Sequence, residues 1–403
     1  MPASFQSSLI RIGSQNSSET SVTDTDQDAE PKEVLYVGPM RTLEEIFNLS
    51  EERKKKKRDT YVCKPKSHIV FLKTHKTGSS TIQNLLYRYG DSKKLTFALP
   101  RNNGHRFSYP MHFQAQFVEG VKSGSVKEFN ILCNHMRFKK SEVAKVMPAN
   151  TFYFSILRHP VPMLESMFNY FKKLASKYKS KTINDYLDDC WKTYNPKRAK
   201  GDYTHNNLAF DFGGSNTATA KSPDLEERID AAIKEIEGTF NLILINEYFD
   251  ESLILLKEAL CWSMEDMVTF KINSRSDKSR KDVPEETAEN IKRWNALDWG
   301  LYQHFNATFW QRVDSVFGRE EMERQVVQLR DLRSKMANTC LENGGAVQPS
   351  EIKDESLKPF QGSAAVLGYN LNPNIAGDMK RTCLQLITPE LHYTSQLYER
   401  QFL

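Results

Sequence analysis

The chain has 403 residues, 39% of them apolar, enough to fill one large α/β core with additions or two domains, which excludes an intrinsically disordered protein. Its 56 basic and 51 acidic residues leave a net charge of only +5, a balance that suits a small anionic ligand better than the dense basic stripe of a nucleic-acid binder. No apolar run reaches the roughly 18 residues of a membrane helix and the first thirty residues are polar, so neither an anchor nor a secretion signal is expected.

Residues 1–62 lack hydrophobic periodicity and carry the charge run "EERKKKKRD" at 51–59, the composition of a polar, disordered stem or linker. The folded domain is expected to span 63–403. Within it, "HIVFL" (68–72) is predicted as a buried strand and "SSTIQNLLYRYG" (79–90) as a helix stopped by Gly90. "FNILCNH" (129–135) and "TFYFSIL" (151–157) are the next strands, the latter feeding a helix in "VPMLESMFNYFKKL" with Pro162 in its first turn. "FNLILINEY" (240–248) is a fourth strand, followed by a helix in "ESLILLKEALCW". Continuous apolar strands that each run into a helix predict a central parallel sheet with helices on both faces. Amphipathic helices are expected at 284–297 and 317–336, and the Gly, Pro and Ser content beyond Cys340 predicts a more irregular C-terminal region.

The six cysteines, at 63, 133, 190, 261, 340 and 383, show no metal-site spacing, and disulfides and free thiols both stay open. No metal is expected. Sequons at Asn16, Asn48 and Asn306 would accept glycans in a secretory compartment.

The chemistry concentrates in "FLKTHKTGSST" (71–81), where a strand turns into a helix N-terminus, the arrangement in which backbone N–H groups and the helix dipole meet an anion. A Walker A loop needs its lysine after the second glycine, but Lys76 precedes Gly78, which argues against a nucleotide-dependent phosphotransferase. Lys73, Thr74, His75, Lys76, Thr77, Gly78, Ser79, Ser80 and Thr81 are the candidate anion-binding residues. A second strand-to-helix junction, "LRHPVPMLESMFNYF", offers Arg158 as a fixed guanidinium fork and Ser166 as a directional hydroxyl.

Together with "CNHMRF" (133–138), these two segments resemble the galactose 3-O-sulfotransferase family, which includes galactosylceramide sulfotransferases. "FSYP" (107–110), "NEYFDESLILLKEALCW" (246–262), "FKINSR" (270–275), "LYQHFNATFW" (301–310) and "LGYNL" (367–371) extend the resemblance, in similar order and spacing, from Cys63 to about residue 392. It implies a P-loop-like sulfotransferase fold and sulfuryl transfer from 3′-phosphoadenylyl sulfate to the 3-hydroxyl of a galactose in a glycolipid or glycan. It also implies Golgi residence as a membrane protein, from which the polar N-terminus departs.

In this reading the 71–81 loop holds the 5′-phosphosulfate, and Arg158 with Ser166 holds the 3′-phosphate. His135 takes the proton of the acceptor hydroxyl, with His75 as rival, and Lys76 stabilises the leaving phosphate. Tyr109, Trp294, Trp299 and Trp310 are the aromatic candidates for the sugar, and Asn273 and Arg275 are placed by resemblance at donor or acceptor. A sulfotransferase-like protein that binds without catalysis is the alternative, and a homo-oligomer is compatible with the chain.

Overall fold

Four short strands, β1 (Ile69–Leu72), β2 (Ile131–Leu132), β3 (Phe152–Leu157) and β4 (Leu242–Ile245), form one parallel sheet in the order β2-β1-β3-β4. The computed structural model describes residues 63–172, 182–195, 205–276, 279–280 and 282–403. Register is fixed by pairing Ile69 with both Ile131 and Phe152, and Phe154 with Leu242. All four residues of β1 are wholly buried, as a strand covered on both faces requires.

The α-helices of five or more described residues are α1 (Ser79–Ser92), α2 (Pro160–Phe171), α3 (Ile183–Thr193), α4 (Asn207–Asp211), α5 (Leu225–Glu237), α6 (Phe249–Leu260), α7 (Glu285–Trp294), α8 (Ala296–Val316), α9 (Arg319–Cys340), α10 (Gly377–Ile387) and α11 (Glu390–Phe402). The α/β architecture read from the sequence is therefore the observed one. The connection leaving β1 runs to one side of the sheet and the connection leaving β3 to the other. The crevice beyond the carboxyl ends of β1 and β3 is thus a topological switch point, where open α/β sheets bind ligands.

Three details differ from the sequence reading. Gly90 does not stop α1; it lies within it because a Cβ there would come within 2.4 Å of Phe97 and 2.8 Å of Ile131. The second strand shrinks to two residues, and the chain beyond it pairs only through single bridges from Arg106 to His135 and from His112 to Arg137. The irregular C-terminal segment ends at residue 376, after which α10 and α11 fold back onto α1.

Disulfides join Cys63 to Cys261 and Cys340 to Cys383. The first fastens the chain entering β1 to the end of α6, beside a backbone bond from Lys66 N–H to the Leu260 carbonyl. The second sits in a small separate core with Phe270, Ile272, Leu341, Ile352, Leu357, Tyr369, Leu386 and Ile387. It closes a loop of sequence separation 43. Because closing such a loop removes unfolded-state entropy, Cys340→Ser with Cys383→Ser is expected to cost about 2–5 kcal/mol, read from urea unfolding.

Asn306 lies in the middle of α8, half-buried, with its side-chain oxygen buried. Asn16 and Asn48 lie outside the described residues.

Candidate active site

The loop between β1 and α1 turns tightly because Lys76 and Gly78 adopt left-handed backbone, at φ 59° and 77°. At Gly78 a side chain would also strike Asn246, whose Oδ1 lies 2.7 Å from the place of a Cβ. Most of the loop's hydroxyls brace it rather than face outward. Thr74 Oγ1 donates to the Ile156 carbonyl at 2.5 Å, and Thr77 and Ser79 donate to the Thr74 carbonyl at 3.2 and 2.6 Å. Thr81 Oγ1 accepts from the Ile272 N–H at 3.0 Å. The hydroxyls of Thr74, Thr77 and Ser79, among the residues nominated for the anion, thus donate within the site's own frame, whereas Thr81 only accepts in its bond to Ile272. What the loop can present is the N–H groups that open α1, other than that of Thr81, which already donates to the Gly78 carbonyl at 3.0 Å.

Lys73, one of the residues nominated for the anion, is buried at the hub of this loop. Its Nζ lies 2.9 Å from Nε2 of His135, 3.3 Å from Oγ of Ser80 and 3.2 Å from Oε2 of Glu390. Ser80 Oγ donates to the same Glu390 oxygen at 2.6 Å. Burial raises the Glu390 carboxyl, but the Lys73 ammonium and the Ser80 hydroxyl outweigh it and hold the group below its usual value. His135 Nδ1 lies 2.9 Å from the Lys73 carbonyl, so it carries the hydrogen, and Nε2 accepts from the ammonium. Burial, then the Lys73 and His75 charges, push this imidazole well below its ordinary pKa and keep it neutral.

His75 stacks on His135 with centroids 4.1 Å apart and planes 15° from parallel. Its backbone N–H donates to Oδ2 of Asp211 at 2.9 Å, and its Nδ1 lies 3.1 and 3.0 Å from the two oxygens of that carboxylate. Tyr109 O–H donates to Asp211 Oδ1 at 2.8 Å and its ring lies 4.7 Å from that of His75.

On the other side of the loop, Arg158 at the end of β3 donates from Nη1 to the Lys76 carbonyl at 2.9 Å, while its Nε is buried without a partner among the described residues. Lys76 Nζ stands 3.7 Å over the Tyr170 ring. Burial, then the charges of Arg275, Arg158 and Lys73, lower its pKa to about 7. Four cations thus converge on one crevice beside a helix N-terminus, the electrostatic signature of a polyanion site.

Asn273 and Arg275 belong to a segment wrapped around the start of α1. Asn273 Nδ2 reaches Ser80 Oγ at 3.5 Å. Arg275 is held by Glu165 on α2 through bonds of 3.2 and 2.6 Å, so its guanidinium acts on the crevice through its charge and not as an unclaimed fork. Ser166 is buried on α2 next to Glu165. Of the aromatic candidates only Tyr109 joins this cluster. Trp294 is a core residue packed against Trp191, Tyr194 and His205. Trp299 packs on His159 and Tyr302, and Trp310 on Tyr248 and Phe309.

Asp211, Glu390, Glu165 and Tyr170 were not nominated from sequence. Glu390 follows Pro389 at the start of α11, which reads locally as an ordinary helix start. Asp211 precedes "FGG", which reads as a turn.

The family model for galactose-3-O-sulfotransferases matches residues 25–401. Galactose-3-O-sulfotransferase 2 of Mus musculus is 41% identical over 343 residues, covering 84% of this chain and 86% of that protein. The Homo sapiens protein of the same name is 43% identical over 342 residues, covering 84% of each. Galactosylceramide sulfotransferase of Homo sapiens is 40% identical over 344 residues, covering 83% of this chain and 79% of that protein.

Proposed function

The chain belongs to the galactose-3-O-sulfotransferase family, and on that premise we propose that it moves the sulfuryl group of 3′-phosphoadenylyl sulfate to the 3-hydroxyl of a galactose in a glycolipid or glycan. The observation that carries the reading is the convergence of Lys73, Lys76 and Arg158 on the loop before α1, with a buried guanidinium nitrogen of Arg158 lacking a partner among the described residues.

The donor's 5′-phosphosulfate lies along the first turn of α1, where backbone N–H groups meet it. Lys73 and Lys76 stabilise the charge that moves onto the leaving phosphate oxygen. Arg158 binds the donor and does not react, and Ser166 is assigned beside it to the 3′-phosphate. The stacked imidazoles of His75 and His135 stand at the same loop, and proton acceptance from the galactose hydroxyl belongs to this pair. Residues 1–62 serve as a stem, and the protein works in the Golgi lumen. The two disulfides support an oxidising compartment of that kind.

The test is transfer from labelled donor to a panel of galactosylceramide, lactosamine and core-1 acceptors. The wild-type protein is expected to sulfate at least one of them. Replacing His135 with alanine is expected to lower kcat by about 100-fold or more with donor affinity little changed. Arg158→Ala is expected to do the reverse, weakening donor binding about 10–100-fold through loss of charge-assisted hydrogen bonds. Equal loss of donor binding in both variants overturns these roles, and failure to sulfate any galactose overturns the reaction.

A further inference from the structure

The carboxylate of Asp211 is wholly buried, and most of its hydrogen bonds go to one neighbour, His75. It receives the His75 backbone N–H, stands at hydrogen-bond distance from His75 Nδ1 with both oxygens, and takes the Tyr109 hydroxyl as well. A carboxylate facing Nδ1 requires the hydrogen on that nitrogen, so the lone pair of the neutral ring sits on Nε2.

Considerable structure holds this carboxylate in place. Asp211 ends α4, whose first N–H groups, from Leu208 and Ala209, each donate at 2.9 Å to the buried carboxylate of Asp298. Asn206, in left-handed backbone at φ 43°, accepts from the Leu297 and Asp298 N–H groups. It donates to the Asn216 and Ala218 carbonyls. The Asp211 carbonyl accepts from Phe138 N–H at 2.9 Å. Burying two carboxylates near each other is unfavourable, and burial together with the Asp211 charge raises the Asp298 carboxyl to about 7. Packing alone gives no reason for such an arrangement.

The two imidazoles differ in what happens when a proton arrives. On His135 the proton would land on Nε2, 2.9 Å from the Lys73 ammonium, and create two adjacent cations. On His75 it would land on a ring whose other nitrogen already faces an anion. The second is the favourable event.

We infer that His75 is the base for the acceptor hydroxyl and that Asp211 is the positioning residue that fixes its tautomer and balances its charge, with His135 stacking beneath it and holding Lys73. The inference rests on the sulfate-transfer reading of this site. As the galactose oxygen forms its bond to sulfur, its proton passes to Nε2 of His75. The bond from sulfur to the 5′-phosphate oxygen breaks, and its electron pair leaves with that oxygen. Asp211 keeps its charge and neutralises the imidazolium.

The test compares Asp211→Asn with wild-type enzyme. The amide can donate to Nδ1 and so favour the wrong tautomer. Loss of kcat by roughly 10²–10⁴-fold is expected, with donor KM within about threefold. The other charged or titratable groups around this pair are His135, Lys73, Tyr109, Arg137 and Asp298. Nitrogen-15 spectra of the imidazoles, with His75 assigned through His75→Gln, should show the Nδ1–H tautomer in the wild-type protein and its loss in Asp211→Asn. Should Asp211→Asn fail to fold, His75→Gln serves, and its kcat should fall by about 100-fold or more with donor KM within about threefold.

Retention of kcat within threefold in Asp211→Asn or in His75→Gln, or an Nε2–H tautomer at His75 in the wild-type protein, overturns the inference. If the wild-type protein sulfates no galactose acceptor, the transfer reading itself fails, and the nitrogen-15 spectra still decide the His75 and Asp211 pairing.

Discussion

Replacing Lys73 with alanine is expected to reduce kcat by about 10²–10³-fold and to destabilise the fold by about 3–5 kcal/mol, the largest combined effect of any single substitution at this site. The ammonium is buried and touches three functional groups at once, His135, Ser80 and Glu390. Without it Glu390 is a buried carboxylate whose remaining donor is Ser80, the situation in which breaking an ion pair is most costly. The catalytic part is separate, since a cation beside the sulfate loop acts on charge that develops only as the bond to sulfur breaks. Thermal unfolding and labelled-donor kinetics on Lys73→Ala and on Lys73→Ala with Glu390→Gln separate the two. Removing the carboxyl charge as well should restore most of the stability and none of the rate. Recovery of kcat in the double variant would reduce Lys73 to a structural counter-ion of Glu390.

The parts of the site legible in the sequence are those that are continuous in it. The run "HIVFLKTHKTGSST" carries a buried strand, the turn and the helix start within one stretch. Arg158 likewise sits at a strand end whose apolar run is plain. The partners that set the electrostatics are not legible, because they come from far along the chain. Asp211 is 136 residues from His75, Glu390 is 310 from Ser80, and Glu165 is 110 from Arg275. Each is an ordinary carboxylate in its local context, and only the folded chain makes it exceptional.

The same distinction explains the fold-level differences. Gly90 looks like a helix stop because glycine has low helix propensity, yet the helix tolerates it to let Phe97 approach. The long helix α8 was not nominated because its aromatic and polar residues do not line one clean face. Trp294 shows the opposite error. A tryptophan is a reasonable sugar platform by type, and burial with 3% exposure assigns it to the core instead.

Donor affinity is expected to fall by up to about tenfold per pH unit above pH 7, and Lys76→Met is expected to flatten that dependence. In the free protein, burial and the neighbouring charges of Arg275, Arg158 and Lys73 bring Lys76 from 10.5 down to about 7, with Glu390 opposing them. A bound phosphosulfate reverses the balance, because an anion beside the ammonium favours its charged form and returns the group toward its ordinary value. Below pH 7 Lys76 is protonated with or without donor, so this residue gives no pH dependence. Between 7 and the donor-bound value, binding must take up a proton, and affinity falls as pH rises. From pH 7 to 9 the loss approaches about 100-fold. The donor's own phosphate does not produce this trend, since its second ionisation lies near roughly 6 and makes it a better ligand as pH rises. Calorimetry with 3′-phosphoadenosine 5′-phosphate in buffers of different ionisation enthalpy measures the proton uptake directly. About one proton taken up per ligand near pH 8, absent in Lys76→Met, is the expected result. No uptake in the wild-type protein would mean that Lys76 keeps its charge in the empty crevice, held there by Glu390 and the Tyr170 ring against three neighbouring cations.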